Sequence, residues 1–187
     1  HYSSYKVLGR AYFKTGNYKE AERTYKKALQ LFPEKGDIYV NLGSVYEHLN
    51  RLQQALTMLN TALTKKDVNE AKAFNTLGII YWRLQNYQES LIAAQKAIAI
   101  DPELLDAYLT LGITYENMGR QDLAFIQFRK AWQKGYDMVA TYNYWAKNFM
   151  QRNDTDRAIL YLQEAIRLNP DHPESRKNLQ DAYLLKK

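Results

Sequence analysis

Cysteine is absent from the 187 residues. That excludes a disulfide framework, a thiolate metal site and a cysteine nucleophile, and it leaves the compartment open. Histidine is nearly absent. His1, His48 and His172 are the whole set, and none is spaced with another His, Asp or Glu as a metal pair on one helix face would be. His48 directly follows Glu47, and sequence neighbours on a helix point in different directions. No Ser/His/Asp arrangement can be built, because every serine and histidine has a simpler reading as surface or turn. No glycine-rich phosphate loop is present. No apolar run reaches the roughly 18 residues that would span a membrane. The sequence therefore predicts no catalytic residues, no metal and no cofactor. It carries no signal peptide and begins at His1 rather than Met, the expectation being a processed form or a fragment of a longer polypeptide.

Apolar residues make up 46% of the chain, enough for a sizeable core and too many for disorder. Tyrosine is unusually frequent, with 16 copies. A tyrosine fills space while tolerating a wet edge, which suits an architecture with much half-buried surface. The net charge of +6 is uneven. Residues 1–35 hold eight Lys/Arg against three acids, a local +5. The basicity belongs mostly to one end.

An internal repeat organises the chain. Gly9, Gly43, Gly78 and Gly112 are separated by 34, 35 and 34 residues, and a further step of 34 reaches Ala146. Four positions before each small residue stands an aromatic: Tyr5, Tyr39, Phe74, Tyr108, Tyr142. Directly before it stands a large apolar residue: Leu8, Leu42, Leu77, Leu111, Trp145. Three after it comes Tyr12, Tyr46, Tyr81, Tyr115 or Phe149, and further on fall Ala21, Ala55, Ser90, Ala124 and Ala158, then Ala28, Ala62, Ala97, Ala131 and Ala165. Pro33, Pro102 and Pro170 close three of the five units. Intervals of three, four and seven are helical, so each unit reads as two helices broken at "KTGNY", "HLNRL", "RLQNY", "NMGRQ" and "QRNDT". Glycine inside a helix costs about 1 kcal/mol relative to alanine. Its recurrence at one phase implies close helix–helix packing that offsets the cost.

This pattern resembles the tetratricopeptide repeat (TPR) family. The resemblance covers nearly the whole chain and implies an all-α, superhelical solenoid of five antiparallel helix pairs with a C-terminal capping helix. The expected single domain, 1–187, comprises repeats 2–35, 36–70, 71–104, 105–138 and 139–172 and a cap at 173–187. Local departures are Asp67 where proline is expected, Ser90 and Ala94 at usually larger positions, and Gly135 ending unit four. In the cap, Pro173 suits a helix start, Leu179 and Tyr183 fall on the inward phase, and Arg176 and Gln180 replace the aromatic and the glycine. The N-terminus has no comparable cap, an expectation again of something upstream.

With no chemistry of its own, function must lie in a surface. In stacked helix pairs the first helices line a concave face. The positions expected to be exposed there are Lys6, Arg10 and Phe13 in unit one, and Asn41, Ser44, Glu47 and His48 in unit two. Unit three offers Lys72, Asn75, Ile79, Trp82 and Arg83, unit four Leu109, Ile113, Glu116 and Asn117. Unit five offers Asn143, Lys147, Met150 and Gln151. Lysine and arginine hold carboxylates, asparagine can pair with an extended backbone, and the apolar middle around Ile79, Trp82, Leu109 and Ile113 can anchor side chains. Trp132 and Trp145 read as structural.

The expected partner is thus a protein or peptide, with acidic groups, bound by a non-enzymatic scaffold. Some TPR modules hold C-terminal carboxylates in a five-residue clamp. The resemblance puts Lys6, Asn41 and Lys72 at clamp-like positions, but Arg10 stands where asparagine is expected and Thr76 where a basic residue is expected. A nucleic-acid or polyanion binder using the basic first unit is the alternative, opposed by the confinement of charge to one end. A third reading is the targeting arm of a larger enzyme. Oligomeric state and localisation are not encoded in any feature of the sequence.

Overall fold

The computed structural model describes residues 1–151 and 153–186. Among these residues there are eleven helices in paired antiparallel arrangement and no strand, as the all-α reading expects. They are α1 (Tyr2–Lys14), α2 (Tyr18–Leu31), α3 (Gly36–His48), α4 (Leu52–Ala62), α5 (Glu70–Arg83), α6 (Tyr87–Ile100), α7 (Leu105–Asn117), α8 (Gln121–Gln133), α9 (Met138–Gln151), α10 (Thr155–Leu168) and α11 (Pro173–Leu185). Contacts divide the chain into two compact units, His1–Gln127 and Phe128–Lys187.

The break inside each hairpin is one motif used five times. Gly16, Asn50, Gln85, Gly119 and Asn153 all take positive φ, between 58° and 75°. The next residue in each case donates its N–H back to the carbonyl of Tyr12, Tyr46, Tyr81, Tyr115 or Phe149, at 2.8–2.9 Å. This six-to-one bond around a left-handed residue is the Schellman ending of a helix. Asn17 and Asp154 then cap the following helices through their side chains.

The recurrent small residue marks a close approach of two helices. A Cβ on Gly9 would lie 2.5 Å from the Tyr25 ring, one on Gly43 2.9 Å from Leu59 Cγ, and one on Gly78 3.1 Å from Thr110 Cγ2. Leu59 and Ala55 are fully buried beneath Gly43. In the first unit these contacts join α1 to α2, α3 to α4 and α5 to α7, with α6 backbone 3.5 Å from the Gly78 position, around one continuous core. In the second unit the core is aromatic. Phe149 stacks on Tyr161 at 5.5 Å, with Phe128 and Tyr142 within about 6 Å of the same ring.

The departures from the repeat have local reasons. Asp67, in place of proline, accepts the Gly36 N–H at 3.0 Å and pairs with Lys35 at 3.2 Å. The Gly36 N–H holds the Asp67 carboxyl below its usual range. Ser90, fully buried, donates to the Gly78 carbonyl at 2.8 Å. The tyrosine–proline spacing also has a cause: Tyr39 donates its hydroxyl to Pro33 O at 2.9 Å and Tyr108 to Pro102 O at 3.1 Å. Where Asp67 replaces the proline, the following aromatic is Phe74, which has no hydroxyl to place.

Three packing expectations are corrected. Leu8 is 47% exposed, because it faces the side on which α3, α5 and α7 meet the second helix before them, and α1 has none before it among the described residues. Trp132 is 50% exposed at the end of α8 and does not act as a core residue. On α11 the buried face is Ser175, Asn178 and Ala182, so Tyr183 turns outward. With Leu179, Leu184 and Ile166, and with Arg176 and Gln180, it lines an open groove of about 340 Å³.

Among the described residues, Gln85 is the one left-handed turn residue that is neither Gly nor Asn. The left-handed conformation costs a side-chain-bearing residue about 1–2 kcal/mol, part of which glycine returns through unfolded-state entropy. Gln85→Gly is therefore expected to stabilise the chain by about 1 kcal/mol. Urea unfolding should show a higher midpoint with an unchanged slope.

Candidate functional site

Within the first unit, α1, α3, α5 and α7 neighbour one another in order. Their shared face is where the expected binding residues fall. Much of that expectation about exposure is overturned. Asn41, Ser44, Glu47, Asn75, Leu109, Ile113 and Glu116 are all at or below 9% exposed. The reason, within this unit, is that α1 meets α3, α3 meets α5 and α5 meets α7, so positions just before and after the small residue are covered by a neighbouring first helix. Asn75 accepts a hydrogen bond from Thr110 at 2.9 Å, and Ser44 donates to the Val40 carbonyl at 3.2 Å. Leu109 and Ile113, expected as open anchors, are already packed. Thr76 is likewise buried, its hydroxyl donating to Lys72 O. Asn117 is half-buried and donates to Ile113 O.

Lys6, Arg10, Phe13, Lys72, Ile79, Trp82 and Arg83 keep at least partial exposure on this face. Two polar groups emerge among them. In the first, Lys6 Nζ lies 2.5 Å from Asp37 Oδ2, and the Asp37 hydrogen bond raises the Lys6 pKa. Lys72, half-buried, donates from Nζ to Asn41 Oδ1 at 2.9 Å and touches no carboxylate among the described residues. Burial depresses the Lys72 pKa, and the positive charges of Arg10 and Lys6 depress it further against the opposing pull of Asp37 and Asp106. Arg10 is exposed on the next turn of α1.

The second group joins three hairpins. Arg83 donates from Nη1 to Glu47 Oε1 at 2.6 Å and to the Glu47 carbonyl at 2.5 Å, and from Nη2 to Asn50 at 2.8 Å. His48 Nδ1 is 2.7 Å from Glu47 Oε2 and 3.0 Å from the Ser44 carbonyl. The imidazole packs edge-on against Phe13 at 4.7 Å and beside Tyr18 at 4.9 Å. Sequence reasoning placed His48 and Glu47 apart, because neighbours diverge along a helix. At the end of α3 the two side chains nevertheless meet at 2.7 Å. Burial works against ionising Glu47, but His48 and Arg83 hold its carboxyl below the usual range. The Glu47 hydrogen bond raises the His48 pKa.

In the second unit, Asn143 is 3% exposed and fully used. It donates to Val139 O and to Ser175 Oγ, and accepts from Asn178. Lys147 is exposed and pairs with Glu174 at 2.5 Å. Met150 is half-buried and Gln151 exposed. Trp145 meets Tyr144 edge-to-face at 5.2 Å. Among the described residues no group of three or more His, Asp or Glu could hold a metal, and no helix is long and apolar enough to cross a membrane.

The His48 pairing makes a pH prediction. A raised folded-state pKa gives stability that is fully present below the ordinary histidine value and is lost as pH rises through the raised one. The wild type is therefore expected to lose thermal stability across the near-neutral range, and His48→Gln to flatten that slope. Melting followed at a series of pH values between about 5 and 8 checks it. An unchanged slope contradicts it.

Family models described as tetratricopeptide repeat match residues 12–75, 71–104, 93–126 and 139–172. No curated protein sequence matches the chain. Among solved structures the chain is similar to TTC0263, a thermophilic TPR protein of Thermus thermophilus. The TM-score is 0.77 at 18% identity, over 98% of this chain and 100% of that one. A MamA protein matches with TM-score 0.60 and 25% identity, over 89% and 90% of the two chains. YrrB, described as a TPR protein with an unusual peptide-binding site, matches with TM-score 0.59 and 21% identity, over 92% and 89%.

Proposed function

Because the chain belongs to the tetratricopeptide repeat family, whose members generally act as protein-binding scaffolds, we propose that it is a non-enzymatic scaffold. It takes an extended or helical segment of a partner protein along the face of α1, α3, α5 and α7 in the first unit. The partner segment carries an acidic group. The observation that carries this reading is Lys72. Its ammonium is half-buried, has one neutral acceptor in Asn41, touches no carboxylate among the described residues, and lies under the field of Lys6 and Arg10. A partly buried cation without a counter-ion is costly, and a carboxylate from outside would supply the missing charge-assisted hydrogen bond.

Asn41, buried at 7% exposure, holds Lys72 Nζ in place through its side-chain oxygen and leaves the ammonium's other donors for the partner. Ile79 and Trp82, both half-buried, offer the partner apolar contact about two and three turns further along α5. The peptide-binding site of YrrB supports the same use of the fold. Lys147 of the second unit, exposed although paired, is proposed as a separate contact point.

The test is binding of a fluorescein-labelled peptide of glutamate and leucine, read by anisotropy. Lys72→Gln is expected to weaken it roughly tenfold, with a much smaller effect on a glutamine counterpart of the peptide. A bound carboxylate raises the Lys72 pKa again, so wild-type affinity should fall as pH climbs through the depressed Lys72 value. Equal binding by wild type and Lys72→Gln would overturn the reading. A polyanion binder would instead lose affinity with salt at a slope set by many phosphate contacts.

A further inference from the structure

We infer that Asp37 is an internal stand-in for the partner's carboxylate: it occupies Lys6, leaves Lys72 and Arg10 as the cations open to an acidic ligand, and so sets how strongly the face attracts acidic segments. This rests on the peptide-binding reading above and names the residue that tunes it.

Asp37, Lys72 and Asp106 each stand six positions before the small residue of their own hairpin, Gly43, Gly78 and Gly112. Successive first helices thus present a carboxylate, an ammonium and a carboxylate at one level. Asp37 is the only one of the three in an ion pair with a described residue. Its Oδ2 receives Lys6 Nζ, while its Oδ1 accepts the N–H of Asn69 at 3.2 Å. Asn69 in turn caps the helix that carries Lys72, its side chain accepting the Lys72 N–H at 2.8 Å. Asp37 is therefore tied both to the first hairpin and to the start of α5, and its carboxylate cannot swing away from Lys6 without losing both bonds.

A ligand carboxylate that sought Lys6 would have to leave Asp37, whose side chain is 24% exposed, without its counter-ion. That exchange gains one ion pair by breaking another and exposes a partly buried charge to the cost of being unpaired. Lys72 requires no such exchange. The cluster of Lys6, Arg10, Lys72 and Asp37 carries three positive charges and one negative. Removing the negative one both frees Lys6 and deepens the field at Lys72.

The experiment uses the whole chain and the same glutamate–leucine peptide at low salt. Asp37→Asn keeps an oxygen for the Asn69 N–H. Removing one negative charge from beside the bound carboxylate is expected to tighten binding roughly fivefold. The glutamine peptide should show no gain. In the double variant Asp37→Asn/Lys6→Gln the gain should disappear, because Lys6 is the cation released. Lys6→Gln alone should weaken binding, since the unpaired Asp37 then competes at Lys72; this variant does not depend on Asp37→Asn folding. Equal affinities of wild type and Asp37→Asn, a gain that survives loss of Lys6, or tighter binding by Lys6→Gln would each overturn the proposal while leaving the peptide-binding reading standing. Absence of glutamate-peptide binding in every protein, Asp37→Asn included, would remove both.

Discussion

The seating of a second-helix side chain against a glycine of the first helix, where a Cβ would have no room, governs the first two hairpins of this structure. At Gly9 and Gly43 an added methyl group would lie within 3 Å of Tyr25 or Leu59. That constraint seats α2 on α1 and α4 on α3, and the same small-residue phase recurs at a period near 34 residues. Burial of the alanines and large apolar side chains along these seams provides the hydrophobic stabilisation. Within the first unit, what remains of each first helix meets a neighbouring first helix or solvent. The candidate site is made from that remainder.

The contacts between first helices in the first unit are polar to an unusual degree. Asn41 with Lys72 and Asn75 with Thr110 link neighbouring first helices through side-chain hydrogen bonds, and Ser90 of α6 bonds Thr114 of α7. Buried polar groups that are satisfied in this way fix one register between neighbours, since a slip would leave each of them unpaired. Charge is handled differently at the two ends of the same face. Near the hairpin turns, Glu47 is enclosed by Arg83 and His48 and is fully neutralised. Near the helix starts, Lys72 has only an amide oxygen. The face thus carries an ion-paired carboxylate at one end and, at the other, an ammonium held by an amide oxygen.

Much of the fold was legible because helical periodicity and glycine spacing report directly on backbone proximity. The hairpin breaks were legible too, although the left-handed Gln85 carries no sequence signal of its own and was placed only by the period. The tyrosine hydroxyl to proline carbonyl bond was present in the sequence as a correlation: Tyr39 after Pro33, Tyr108 after Pro102, and Phe74 after Asp67. The site was less legible. A pattern of small and large residues shows which side of a helix packs on its hairpin partner. It does not show how closely the next first helix approaches. For that reason Asn41, Asn75, Leu109, Ile113 and Asn143 looked available and are buried. The Lys6–Asp37 pair joins residues 31 apart, a separation that only the assembled hairpins bring within reach.

The central claim is that Lys72 is the cation left waiting for a carboxylate. A crystal structure of the chain with a glutamate-containing peptide addresses it most directly. The account predicts a peptide carboxylate oxygen within hydrogen-bond distance of Lys72 Nζ, with the Lys6–Asp37 pair intact beside it. A peptide lying against α2, α4 and α6, or one seated on the first helices with Lys72 Nζ still bonded to Asn41 alone, would contradict it.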